Sequence, residues 1–365
     1  MMRWVYFLLL CSGIVTAWVT GRWAVSVVQS GIVVLAAAWW WNARKARWTM
    51  AMVPLAAMAG WGFAQVAMGT SVQSWASEEM GYQWVTRWAA FFLGVQMGRG
   101  NEWFGRAAFV FGFGVSVVAV LMHFFVPGLE AGVMGPFVYH NQYAAFMELV
   151  IPVGLWLGFS GSRGWMVWTG LSAWMVASVV LSNSRAGSAL VFAEVILVAW
   201  LSHVKKRRLA WVLGAVLLFT GVVGWDKLLE KLEGREPYQT RQELMLSSIT
   251  MAGERPWMGF GLGTWATVYP AYAQFDDGLR DNQAHNDWAQ WAAEGGVPFV
   301  LLMMWWVMCM WRPAWRGEWG VGVLVVLVHC LLEYHFQQRA GFGYFYFAMA
   351  GVVAGECGNG QRESV

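Results

Sequence analysis

Residues 143–160 read YAAFMELVIPVGLWLGFS. Glu148 is the only charge in this run, and a helix of such length rises ~27 Å, close to the ~30 Å hydrocarbon core of a bilayer. The run is not isolated. Similar apolar stretches lie near 4–20, 23–41, 48–69, 84–98, 107–126, 165–182, 187–202, 209–225, 297–311, 319–336 and 341–355. In a chain of 365 residues that is 58% hydrophobic and 12% charged, with 28 Trp and 22 Phe, this repetition excludes a string of soluble domains. It predicts an all-α integral membrane protein, a single polytopic domain over 1–365 with about twelve transmembrane helices. The first run, within MMRWVYFLLLCSGIVTAWVT, has a basic start but no A-x-A site, so it is expected to be a retained helix and not a cleaved signal.

Between the runs, basic residues alternate. Arg44, Lys45 and Arg47, then Arg99 and Arg106, Arg163, the cluster Lys205 to Arg208, and Arg312 with Arg316 all fall on one side, and the acidic breaks at Glu78, Glu79 and Glu130 on the other. Basic loops stay in the cytoplasm, which puts both termini there. The long polar stretch 226–296 then faces outward as an external loop between the ninth and tenth helices. It is far longer than a helix connection needs, so the catalytic residues are expected in it.

The net charge of +3 is spread in short clusters, which argues against a nucleic-acid partner. Cys11, Cys309, Cys330 and Cys357 show no paired spacing and predict neither a disulfide framework nor a zinc site. His123, His203, His329 and His335 lack metal-ligand spacing, and Asp276, Asp277 and Asp281 form no D-x-D pattern. No metal and no cofactor is expected.

Polar chemistry gathers at 281–296, DNQAHNDWAQWAAEGG. Asn286 or Asp287 can cap a helix, with Gln290 placed as in a capping box. His285 then sits just outside a helix N-terminus, where the dipole disfavours imidazolium and welcomes anions. A neutral histidine beside an anion site suits a general base; the alternative is a hydrogen-bonded loop histidine. Glu294 is out of phase with His285 on a helix and is expected to orient the Gly295-Gly296 break. Arg185, in LSNSRAGS between two apolar runs, would cost ~2.5–3.5 kcal/mol if buried in the membrane without a partner or cavity. Guanidinium forks match phosphate oxygens, so Arg185 and Arg241, joined by Arg255, could hold a diphosphate without a metal. Arg241 and Arg255 could instead pair with Glu236, Glu243 or Glu254. Gly259, Gly261 and Gly263 lack the context of a nucleotide loop and are assigned to tight turns.

Four segments in order, YHNQYAAFMELVIPVGLWL (139–157), LSNSRAGSALVF (181–192), TRQELMLSSITMAGERPWMGFGLGTW (240–265) and AHNDWAQWAAEGGVPFVLLM (284–303), resemble the O-antigen ligase superfamily of integral membrane glycosyltransferases. That family includes O-antigen polymerases and protein O-oligosaccharyltransferases. His140 and Gln142 depart from its common pattern. The resemblance implies a glycosyltransferase C-type helical fold and a donor glycan on undecaprenyl diphosphate. The acceptor would be a glycolipid such as lipid A-core, or a second glycan, with membrane lipids around the protein and no metal or nucleotide. It implies that His285 activates the acceptor hydroxyl, that Arg185 and Arg241 meet the donor diphosphate, and that Asn141 occupies the family's asparagine position. Asn286, Asp287 and Glu294 fall in its His-Asn signature. Inversion at the anomeric carbon is expected. A polytopic transporter, using Glu148, Glu194 and Arg185 inside the membrane, is the rival from another class.

Overall fold

A computed structural model describes residues 2–42, 46–98, 102–128, 132–161, 164–233, 238–274, 282–317 and 319–357. Arg44, Lys45, Arg99, Glu130, Arg163, Glu236, Asp276, Asp277 and Asp281 lie outside them. The described chain is helical and forms no strand, only one isolated bridge between Met134 and Phe137. In order come α1 (Met2–Val15), α2 (Arg22–Asn42), α3 (Met52–Ala67), α4 (Ser74–Met97), α5 (Glu102–Phe125), α6 (His140–Phe159), α7 (Trp165–Leu181) and α8 (Arg185–Leu201). They continue with α9 (Lys206–Glu233), α10 (Tyr238–Glu254), the single turn α11 (Trp265–Val268), α12 (Asp287–Arg316), α13 (Val321–His329), the single turn α14 (His335–Gln338) and α15 (Ala340–Cys357).

A helix lies on every apolar run. By length and composition, α2, α5, α6 and α12 could each cross a membrane, while α1, α3 and α7 are apolar but shorter. The opening stretch forms α6, which is almost wholly buried and packs against α5, α7, α8 and α13. Phe146 on α6 meets Phe111 and Phe345 at ring-centroid distances of 6.0 and 5.3 Å, joining α5 and α15 in one aromatic core. Among the described helices α4 and α15 pack most extensively against each other. Gly94 and Gly98 face Gly351 and Gly355, and a Cβ on any of the four would run into backbone of the opposite helix. Two such small-xxx-small faces let backbones approach where lipid supplies no hydrophobic drive.

The polar stretch 226–296 is not one long loop. It holds the end of α9, all of α10, and the first turns of α12. Hydropathy misses α10 because its apolar positions are few: Leu244 and Met251, with Ser247 and Ser248 between them, bury one face at helical spacing. That face joins Phe260, Trp265, Val268 and Tyr269 in a second, smaller core.

The tenth apolar run also starts earlier than expected. α12 begins at Asp287 and breaks at Gly296, whose φ of 74° and ψ of 177° are accessible in practice only to glycine. Pro298 cannot donate to Glu294, and Val297 N–H turns instead to Pro256 O at 2.7 Å. The freed carbonyls are all met: Ala293 O by Phe260 N–H, Glu294 O by Gly261 N–H and Gln65 Nε2, and Gly295 O by Trp61 Nε1. Gly259, Gly261 and Gly263, each with positive φ, form the turn that docks on this break. The run 319–336 is likewise not one helix, for α13 stops at His329 and residues 330–334 form a turn.

Candidate active site

The turn after α13 carries Glu333, which is 1% exposed and collects polar groups from three other parts of the chain. Arg241 on α10 donates from Nη2 to Oε1 at 2.7 Å. Asn141, in the first turn of α6, donates from Nδ2 to the same oxygen at 2.6 Å. The Tyr139 hydroxyl donates to Oε2 at 2.8 Å, and His285 Nδ1 lies 3.3 Å from that oxygen. Burial alone would push this carboxyl up, but the His285 hydrogen bond and the Arg241 charge hold it below its ordinary value of 4.5. Glu333 is therefore ionised and can only accept. His285 must then donate from Nδ1, leaving the Nε2 lone pair open when the ring is neutral.

The backbone fixes this arrangement. His285 has φ of 50°, a left-handed conformation uncommon for a non-glycine residue and held here by its surroundings. Tyr334 meets the imidazole edge to face at 4.5 Å and stacks on Tyr139 at 5.3 Å, so two aromatic rings set its plane. Asn286 is the N-cap of α12, its Oδ1 accepting from Ala289 N–H at 3.0 Å. Its Nδ2 donates to Leu331 O at 2.8 Å. Asp287 N–H donates to Cys330 O and Glu333 O, and its buried Oδ2 accepts from Phe336 N–H at 3.2 Å. Asn286 and Asp287 thus clamp the Glu333 turn against the start of α12. Gln290 does not complete a capping box; its Oε1 accepts from Ala284 N–H.

Beside Glu333 opens a cavity of about 300 Å³ lined by Asn141, Asn183, Arg185, Arg241 and Glu333, among others. Arg185 is the first residue of α8, whose N-cap Ser184 accepts from Gly187 N–H at 3.1 Å. Asn183, with φ of 73°, turns the chain into that helix start. Among the described lining residues, two guanidiniums and a helix N-terminus stand beside one carboxylate, an arrangement suited to an anion.

The structure brings His285, Arg185, Arg241 and Asn141 together around Glu333. It does not bring Arg255 or Glu294 there. Arg255 stacks over Phe260 at 4.4 Å and donates to Thr70 O at 3.4 Å, outside the cavity lining. Glu294 accepts from Gly263 N–H at 2.9 Å, Trp265 N–H at 3.1 Å and Gln290, holding the glycine turn. Arg241 pairs with Glu333 and not with Glu243, whose carboxylate accepts from Ser247, Tyr269 and Gln274 N–H. Glu333 is the residue that sequence reasoning missed. A lone acid in an apolar run was the available signal, the one that singled out Glu148 and Glu194.

Residues 170–304 match the family model of O-antigen ligase. Over that span, just over a third of its length, the chain is similar to the O-antigen ligase superfamily. No curated protein matches it. The matched span contains Arg185, Arg241, Arg255 and His285, while Asn141 and Glu333 lie on either side of it. Members of that family are membrane glycosyltransferase-like enzymes, and α2, α5, α6 and α12 of this chain are long and apolar enough to cross a membrane.

Proposed function

We propose that this protein is an O-antigen ligase homologue that transfers a glycan from undecaprenyl diphosphate to an acceptor hydroxyl, lipid A-core or a similar glycolipid, at the outer face of the bacterial cytoplasmic membrane. The twelve apolar helices would form a single polytopic domain, with 226–296 on the outer side. The observation that carries this reading is that one buried carboxylate, Glu333, holds both His285 and Arg241 at the edge of a cavity lined by Arg185.

In the reaction, His285 Nε2 takes the proton of the acceptor hydroxyl as its oxygen attacks the anomeric carbon. The new C–O bond forms as the bond to the diphosphate oxygen breaks, and the electron pair leaves with the diphosphate. Arg185 and Arg241 offset the charge that appears there, so the step needs no metal. Glu333 stabilises the imidazolium as it forms and fixes the tautomer, the part a buried acid plays behind a catalytic histidine. A single displacement inverts the anomeric centre. Asn141 and Tyr139 keep Glu333 in place, and Asn286 and Asp287 hold its turn.

The test uses purified protein with an undecaprenyl-diphosphate glycan in EDTA and three acceptors: lipid A-core, a second lipid-linked glycan and a peptide. Wild type should glycosylate one acceptor with inversion, and His285→Ala should lower kcat ~10²–10⁴-fold. The acceptor used distinguishes ligase, polymerase and protein transferase. Retention at the new linkage, or full activity in His285→Ala, would remove the mechanism.

A further inference from the structure

A second pair of cavities, separate from the Glu333 cavity, lies toward α2 and α4. One, of about 470 Å³, is lined by residues including Arg22, Glu78, Tyr82 and Arg339. The other, of about 210 Å³, is lined by residues including Asn282, Gln283 and Gln290. Trp75, Glu79, Gln83 and Gln337 line both, so the two form one groove. Its size falls in the range of small-ligand sites, ~300–1,000 Å³.

The lining chemistry narrows the ligand. Trp75 and Tyr82 are more than half exposed and offer flat aromatic faces. Amides dominate the polar groups, and each offers both donors and an acceptor. Carboxyl groups outnumber guanidiniums, with Glu78, Glu79 and Glu294 against Arg22 and Arg339, and Arg22 is already paired to Glu79 at 2.6 Å. Gln337 Nε2 and Arg339 Nε are buried and meet no hydrogen-bond partner among the described residues. Buried donors of this kind need one. An uncharged molecule with an apolar C–H face and many hydroxyls satisfies all of these features: the hydrogens pack on the electron-rich aromatic faces, and the hydroxyls reach the amides and carboxylates. An anionic diphosphate is disfavoured in a groove with more carboxyl groups than guanidiniums.

The groove meets the catalytic residues through two short pieces of chain. Gln283 lies two residues before His285, and Gln337 four residues after Glu333. The leaving diphosphate belongs in the Arg185 and Arg241 cavity, and direct displacement requires the nucleophile to come from the opposite side. We infer that this groove, between the starts of α2 and α4 and the segments 282–290 and 337–340, binds the neutral sugar units of the acceptor glycan and leads its hydroxyl to His285. The assignment to an acceptor rests on the transferase reading above; the saccharide site itself does not.

The test is direct binding of lipid-free neutral oligosaccharides to the detergent-solubilised full chain by saturation-transfer NMR. The panel consists of hexose and hexosamine oligomers together with dephosphorylated lipopolysaccharide core. At least one should bind wild type. Trp75→Ala and Gln83→Ala should weaken it about tenfold, while Trp75→Phe restores it and Arg241→Ala leaves it unchanged. No binding to wild type, or binding indifferent to both groove variants, overturns the site. In turnover, the groove variants should raise acceptor KM about tenfold with kcat and donor KM unmoved. A rise in donor KM alone overturns the acceptor assignment. Groove-dependent binding without any turnover would sink the transferase reading and leave the saccharide site standing.

Discussion

At the scale of single residues, Glu333 carries the largest testable consequence because two roles for it diverge. As the group that orients His285, its replacement in Glu333→Gln should lower kcat roughly 10²-fold or more, given that altering a buried acid behind a catalytic histidine costs up to ~10⁴. As a mere competitor for Arg241, its removal would instead lower donor KM and spare kcat, so steady-state kinetics separate the two. Stability gives a second reading of the same residue. The native state favours the ionised carboxylate, so its contribution is present in full above the ordinary value of 4.5 and is lost as pH falls through the lower folded value. Gln mimics the protonated acid. Thermal unfolding should therefore show wild type more stable than Glu333→Gln near pH ~7, with the gap closing below pH 4.5. A gap that persists or widens in acid would show that the carboxylate is not held ionised by its donors.

At the scale of elements, the break in α12 links membrane packing to the site. Gly296→Ala should destabilise the protein by ~1–3 kcal/mol, because the backbone conformation is closed to alanine and its Cβ would meet Pro256 O at 2.7 Å. It should also lower activity, since the glycine turn and the first half of α12 hang on that break; melting temperature and kcat check both. Gly351→Leu tests the α4 and α15 face, where a side chain has only backbone to displace, and should cost at least ~1–3 kcal/mol. These elements also show what the sequence made legible. Apolar length found the helices of the bundle, and a cap at Asn286 or Asp287 was visible beside His285. α10 was not, because its buried face is thin and partly serine, nor was the interruption after α13, because no proline or glycine marks it in CLLEYH. Arg255 was grouped with Arg241 by nearness in sequence, yet on a helix fourteen residues separate them by about four turns. Glu333 reaches His285 only through the tertiary fold, which no local pattern spells out.

At the scale of the whole molecule, polar contacts sort to two ends of the bundle. Arg22 with Glu79, Arg241 with Glu333, and His285 with Glu333 join helix ends at one end. At the other, Arg47 donates to Gln96 O and Gly355 O, and Arg208 donates to Phe159 O. Exposed tryptophans follow the same division, with Trp18, Trp23, Trp75 and Trp257 near the helix ends that share a side with His285 and Trp40, Trp41, Trp200 and Trp311 near the basic ones. Two belts of this kind fit the two interfaces of a bilayer, and the excess of Arg and Lys at one end predicts that this end faces the cytoplasm. With the native cysteines replaced, Glu78→Cys and Asn282→Cys should react with a membrane-impermeant maleimide in intact spheroplasts. Arg207→Cys and Arg312→Cys should react only after permeabilisation. The reverse pattern would invert the protein and put His285 on the cytoplasmic side, away from an outward-facing lipid-linked donor. Labelling of all four from one side would break the alternation of helices, and with it the premise that the donor cavity and the sugar groove open at a common membrane face.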